Sequence, residues 1–312
     1  MAELFYQRDV YGKTLVELGK LHKDIVVLDA DLSSSTRTVL FAKEFPERFF
    51  NFGVAEQNMM AASAGLASCG KTVFVSTFAI FATGRAWDQV RNTVCYSNSN
   101  VKIVATHAGV SVGPDGASHQ ALEDIVLMRV ISNMTVVVPC DGPETREAVM
   151  AAYEKKGPFY IRLGRPKVPS IENKKSFQLG KAYAITEGND IAIIACGVMV
   201  NEALQAVNSL SDKGIKARLI NMHTIKPIDE EIVIKAAQET KGIVVCEEHS
   251  VIGGLASAVD EVVAEKFPTL VIRIGVRHRF GQSGEPQELM QEYNLTAKDI
   301  EAVALKIVKA SK

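Results

Sequence analysis

The sequence predicts an α/β protein built from two doubly wound domains, and three observations carry that expectation. Short, continuous apolar runs such as Ile25-Val26-Val27-Leu28 and Ile191-Ala192-Ile193-Ile194-Ala195 alternate with helix-spaced segments along most of the chain. Several runs end in clusters of acids, hydroxyls, histidines or glycines, which is where open α/β sheets place ligand contacts. A polar, proline-bearing stretch from Pro166 to Lys181 interrupts the alternation before it restarts. With 312 residues the chain is long enough for two ordinary cores. The expected division is a first domain over residues 1–170, a linker over 171–182 and a smaller domain over 183–312.

Composition narrows the class. At 47% hydrophobic and 23% charged residues the chain has the profile of a soluble globular protein. A net charge of −1 offers no bulk attraction to nucleic acid or to an anionic membrane. The odd set of five cysteines is widely spaced without a CxxC pair, which reads as buried free thiols in a reducing compartment. Met1-Ala2-Glu3-Leu4 lacks the basic-then-apolar pattern of a signal peptide, and no apolar run approaches membrane-spanning length. The expectation is a cytoplasmic protein.

Along the chain, residues 8 to 23 space Val10, Leu15, Leu18 and Leu21 as one helical face. The strand at Ile25 ends in Asp29-Ala30-Asp31-Leu32-Ser33-Ser34-Ser35-Thr36, either a ligand-contacting turn or a cap for the next helix. The stretch Phe52-Gly53-Val54-Ala55-Glu56-Gln57-Asn58-Met59-Met60 places one acid among small and apolar neighbours at the start of an Ala/Gly/Ser-rich helix. Glu56 is either a first-turn glutamate favoured by the helix dipole or a carboxyl group in an apolar niche with a raised pKa. Thr72-Val73-Phe74-Val75-Ser76 is a strand, and beyond it Phe78 and Phe81 share a face if that segment is helical, with packing as their default role.

The strand at Val101 leads into Thr106 through Gln120, where His107, Asp115 and His119 flank a Gly/Pro-rich turn. Such a set suits recognition of a hydroxylated substrate or proton shuttling, and less well a metal, because the two histidines cannot be one-turn helical neighbours. Met134–Pro139 and Phe159–Leu163 read as further strands, the latter ending at Gly164-Arg165-Pro166. An arginine there can fork onto a phosphate or carboxylate, or form a surface salt bridge. Beyond the linker four strands are expected, at Ile191, Ala217, Gly242 and Leu270, with Cys246-Glu247-Glu248-His249 taken as a turn-rich structural or interface feature. Arg279–Gly284 reads as a loop and Lys298–Val308 as a closing helix.

Glu56, the Phe78/Phe81 pair and the His107–His119 loop, in this order, resemble transketolases over essentially the whole chain. The match is to the pyrimidine-binding and C-terminal domains only, as in the C-terminal subunit of a transketolase split over two polypeptides. The resemblance implies that the acid matching Glu56 hydrogen-bonds N1′ of the aminopyrimidine of thiamine diphosphate and so promotes loss of the thiazolium C2 proton. It implies that Phe78 and Phe81 line the aminopyrimidine pocket, and that His119 lies beside the 4′-amino group and the substrate. Asp31 matches an acid beside the cofactor. His107 and Asp115 match groups that hold donor hydroxyls, and Arg8, Ser35 and Arg165 match positions that contact the sugar phosphate. His107 joins Glu56 and His119 as a catalytic candidate.

The sequence departs from the family pattern at two places. Gly84 stands where full-length transketolases commonly place a third aromatic, leaving the ring wall to Trp87 or to a partner, and Pro114 replaces the acid before Asp115. The chain also lacks the Gly-Asp-Gly segment followed by Asn that holds Mg²⁺ and diphosphate in this superfamily. The resemblance therefore implies a partner subunit with the diphosphate-binding domain, an α2β2 assembly with a self-associated core, sugar phosphate substrates, and no metal ligand in this chain. Deoxyxylulose-5-phosphate synthases usually lack the histidine matching His107, and 2-oxo-acid dehydrogenase β subunits lack the His107/Asp115/His119 set. A non-catalytic assembly subunit of the same fold has no need for these residues.

Overall fold

Ile25, Val27 and Phe74 face one apolar cluster with Tyr11, Leu15, Leu18 and Phe41, whereas Val26, Leu28, Val73 and Val75 face another with Met59, Met60 and Ala64. That alternation is the two-residue period of strands buried on both sides of a sheet. The structure, a computed structural model, describes residues 3–172 and 175–310. Met1 and Ala2, used in the N-terminal reading, and Asn173 and Lys174 of the expected linker lie outside the described residues.

The strands in chain order are β1 (Leu4–Tyr6), β2 (Ile25–Asp29), β3 (Phe49–Asn51), β4 (Thr72–Ser76), β5 (Val101–Ala105), β6 (Thr135–Val137) and β7 (Phe159–Arg162). They continue as β8 (Lys167–Pro169), β9 (Tyr183–Thr186), β10 (Ile191–Ala195), β11 (Ala217–Asn221), β12 (Thr224–Lys226), β13 (Ile243–Ser250) and β14 (Val271–Val276). The larger sheet has the order β12-β6-β7-β5-β4-β2-β3 and is parallel except where β12 joins β6. The smaller has the order β14-β13-β10-β11-β9 and is parallel except for β9. β1 and β8 form an antiparallel ribbon. The α/β class with two mostly parallel sheets is therefore as the sequence predicts.

The strand inventory differs from expectation at its edges. β1, β3, β8 and β12 were not expected, and the second sheet has five strands because β9 adds an antiparallel edge to the four anticipated. β3 and β12 are only three residues long, too short for a periodic signal. β12 also comes from the second half of the chain yet pairs with β6 of the first sheet, Thr224 opposite Val137. One apolar cluster runs from Leu28 and Val75 through Val136 to Ile194, Ile220 and Val245, so the sheets share a core. Glu247, Glu248 and His249 lie inside β13, not in a turn beyond it. Four cysteines are buried and Cys69 is exposed, all five being free.

β2, β4, β5 and β7 are adjacent and parallel, so their carboxyl ends open on one edge of the sheet. The segments leaving those ends carry Asp31 and Ser35, Phe78 and Phe81, His107 to His119, and Arg165. The helix Glu56–Ser68 packs Met59, Met60 and Ala64 inward. No helix among the described residues is long and apolar enough to cross a membrane.

Candidate active site

Glu56 is the first residue of its helix, in the first turn, and its side chain is 2% exposed. Its Oε1 accepts a hydrogen bond from Arg85 Nη1 at 2.8 Å. Its Oε2 is buried and has no hydrogen-bond partner among the described residues. Arg85 closes a π-helical turn, Phe81–Arg85, and its guanidinium lies 4.4 Å from the centre of the Phe81 ring. The wider turn brings cation, ring and acid together.

Phe81 and Phe78 stand with centroids 6.0 Å apart and planes 16° from parallel. His119 meets Phe81 edge-on at 5.3 Å, and His107 stacks on Phe78 at 3.9 Å. The His107 tautomer follows from its neighbours. Arg8 Nη1, which can only donate, lies 3.3 Å from His107 Nε2, so Nε2 accepts and Nδ1–H donates to Thr106 Oγ1 at 2.8 Å. Burial first, then the Arg8 and Arg165 cations, push His107 down to about 3, which keeps the ring neutral. A neutral, fixed imidazole is suited to hydrogen bonding with a hydroxylated ligand.

Arg165 donates to the Val112 carbonyl and lies 3.7 Å from Asp115 Oδ1. Arg8 also reaches the Ser35 main-chain oxygen at 3.4 Å, so Ser35 is met through its backbone and not its hydroxyl. These contacts join Glu56, Phe81, Phe78, His119, His107, Arg8 and Ser35 into one continuous strip, with Arg165 and Asp115 paired on the adjoining loop. Asp31 is tied elsewhere. Its carboxylate accepts from Asn51 Nδ2 at 3.3 Å while Asn51 Oδ1 accepts from the Asp31 N–H at 3.0 Å, with φ at Asp31 of +64°. Among the described residues no group of three or more His, Cys, Asp or Glu is placed to hold a metal ion.

Residues 6–170 match the family model for the transketolase pyrimidine-binding domain, and residues 180–300 match that for the transketolase C-terminal domain. The chain belongs to the transketolase family. A Methanocaldococcus jannaschii protein named as a transketolase C-terminal section is 50% identical over 98% of this chain and 96% of its own length. A 6-deoxy-6-sulfo-D-fructose transketolase subunit from Clostridium sp. MSTE9 is 41% identical over 98% of this chain and 96% of its own. A solved structure described as a split gene transketolase, inactive beta4 tetramer, superposes with a TM-score of 0.91 at 50% identity, covering 98% of this chain and 99% of that one.

One feature sets this site against the usual transketolase pattern. A Cβ built on Gly84 meets nothing within 4 Å, so the position of the third aromatic is open space. Trp87 does not turn to fill it: its indole N–H donates to the Leu127 carbonyl at 3.0 Å, and its ring packs on the core. Arg85 is the site residue that sequence reasoning passed over. It is one of several arginines between apolar residues, and only the π-turn shows that it reaches Glu56. Thr106, which accepts the His107 Nδ1–H, carried no signal beyond adjacency.

Proposed function

We propose that the chain is the catalytic C-terminal subunit of a two-chain, thiamine-diphosphate-dependent transketolase. It transfers a two-carbon ketol unit from a ketose phosphate to an aldose phosphate. The observation that carries this reading is the buried, unpartnered Oε2 of Glu56 at one end of a strip that includes Phe81, Phe78 and His119. A buried carboxylate oxygen facing no protein donor is costly unless a ligand atom completes it. The flanking aromatic rings offer flat apolar faces to a heterocycle. The residues present therefore fit the pyrimidine end of the cofactor.

Thiamine diphosphate, when bound, supplies the nucleophilic carbon of the transfer. Glu56 Oε2 is the atom of this chain that holds or yields a proton, and His119, at the rim of the aromatic pair, is the second proton carrier. His107, neutral and with its Nδ1–H held by Thr106, offers the Nε2 lone pair that Arg8 also faces, and so accepts a hydrogen bond from a substrate hydroxyl, with Asp115 beside it. Arg8 and Arg165 give the site its positive end, suited to an anionic sugar terminus. Ser35 and Asp31 border the same sheet edge; Asp31 serves by fixing Asn51 and the turn before Glu56. The diphosphate and its Mg²⁺ belong to a partner subunit, a reading supported by the relatives named as a section, a subunit and a split-gene product. An α2β2 cytoplasmic assembly in the pentose phosphate pathway accords with this role.

The test is reconstitution. Ketol transfer from xylulose 5-phosphate is expected only when this chain, a chain bearing the diphosphate-binding domain, thiamine diphosphate and Mg²⁺ are combined. Turnover by this chain alone overturns the two-chain reading.

A further inference from the structure

The loop that carries Asp115 and His119 is gripped from the C-terminal sheet. Glu248, in β13, is 2% exposed, and its Oε1 accepts a hydrogen bond from the Ser111 N–H at 2.6 Å. One residue on, the Val112 carbonyl accepts from Arg165. A single 3-10 turn, Val110–Val112, is thus held by an acid from the smaller sheet and a cation from the segment that leaves β7 of the larger one. The approach is close enough to require glycine at position 109: φ there is +85°, and a Cβ would stand 2.2 Å from the Glu248 carboxyl carbon.

The Glu248 backbone is itself fixed, because its carbonyl accepts from Arg162 Nη2 at 2.8 Å. Gln120 adds a second tie, donating to Val110 O at 3.0 Å and to Gln282 O at 2.9 Å. Burial raises the Glu248 carboxyl above its usual range, and its Oε2 has no hydrogen-bond partner among the described residues. An apolar side chain here would leave the buried Ser111 N–H without its acceptor and the turn without its tie to β13.

We infer that Glu248 is a positioning residue: it fixes the turn Val110–Val112, and through it Arg165 and Asp115, in the arrangement that receives the anionic end of the sugar. The C-terminal domain then acts on substrate binding without touching substrate. The substrate part of this inference rests on the transketolase reading; the restraint on the loop does not.

Two measurements test it. In amide hydrogen exchange on the full chain, Glu248→Ala is expected to speed exchange over residues 109–119 by about tenfold while β10 and β11 keep wild-type rates. In the reconstituted enzyme the same variant is expected to raise the KM for xylulose 5-phosphate by about tenfold, with kcat within about twofold and the thiamine diphosphate Kd unchanged. Glu248→Gln keeps an oxygen for Ser111 and should restore both readouts. Glu248→Asp, which shortens the reach, should give an intermediate KM and supplies the answer if the alanine variant does not fold. Unchanged exchange and KM, faster exchange across the whole protein, or a glutamine variant as impaired as alanine overturns the inference. If the wild-type two-chain enzyme shows no ketol transfer, the functional reading fails, and exchange alone decides whether Glu248 restrains the loop.

Discussion

Arg85 holds Glu56 from outside. The arginine side chain is 46% exposed, the glutamate 2%, and the two meet at 2.8 Å. The acid depends on this pair far more than the cation does, because only the acid has left water. Removing Arg85 strands a buried carboxylate. Arg85→Ala is expected to cost about 2 kcal/mol of folding stability, less than a fully buried pair because the guanidinium stays half in solvent. In a Glu56→Gln background the same change should cost little. A urea-unfolding double-mutant cycle measures the difference, and additivity of the two changes would show that the pair is not coupled.

The second prediction concerns chemistry at the same acid. Glu56→Gln keeps the shape and one oxygen but loses the exchangeable carboxyl proton. In the reconstituted enzyme it should lower kcat by about 10²–10⁴ while the chain keeps its fold by circular dichroism. A kcat within a few-fold of wild type would remove Glu56 from proton transfer.

His107 gives a pH dependence with a definite sign. Its value is pushed from 6.5 down to about 3 in the fold, so the unfolded chain takes up a proton first as acid is added. The stability it contributes is complete above 6.5 and is lost as pH falls toward about 3. His107→Gln should therefore flatten the acid limb of the stability–pH curve in that window. Parallel curves for variant and wild type would contradict the neutral, buried assignment.

A buried charge at the join between the sheets should be costly to break. Arg162 Nε lies 2.7 Å from Asp124 Oδ2, both side chains at most 5% exposed, and Tyr160 donates to the same oxygen at 2.5 Å. Asp124→Asn is expected to destabilise by about 3 kcal/mol, and Tyr160→Phe by about 1 kcal/mol. Thermal or denaturant unfolding of the two variants checks the order; a larger loss for the tyrosine change would reverse it.

The parts of this fold that could be read in advance are those with their own local signal. β2, β4 and β5 are continuous buried runs, and the helices Met199–Asp212 and Ala297–Ala310 carry one apolar face each. β3 and β12 become strands only because a neighbour offers hydrogen bonds, which three residues cannot announce. The site divides in the same way. His107, Asp115, His119 and Arg165 are conspicuous as polar residues leaving strand ends. Arg85 and Glu248 act across 29 and 137 positions of sequence, so only the folded chain shows what they hold.

The pairing of β12 with β6 bears on how the protein is made. β6 lies at the rim of the parallel sheet until Thr224–Lys226 arrives. On the ribosome, a nascent chain that has emerged only as far as Arg165 presents β6 as an open edge, with unpaired amides facing other nascent chains. Synthesis must proceed well past the linker before that edge is sealed. A truncation at the linker is thus expected to yield sticky, aggregating material, even though the sequence it retains includes every residue of the strip from Arg8 to Arg165.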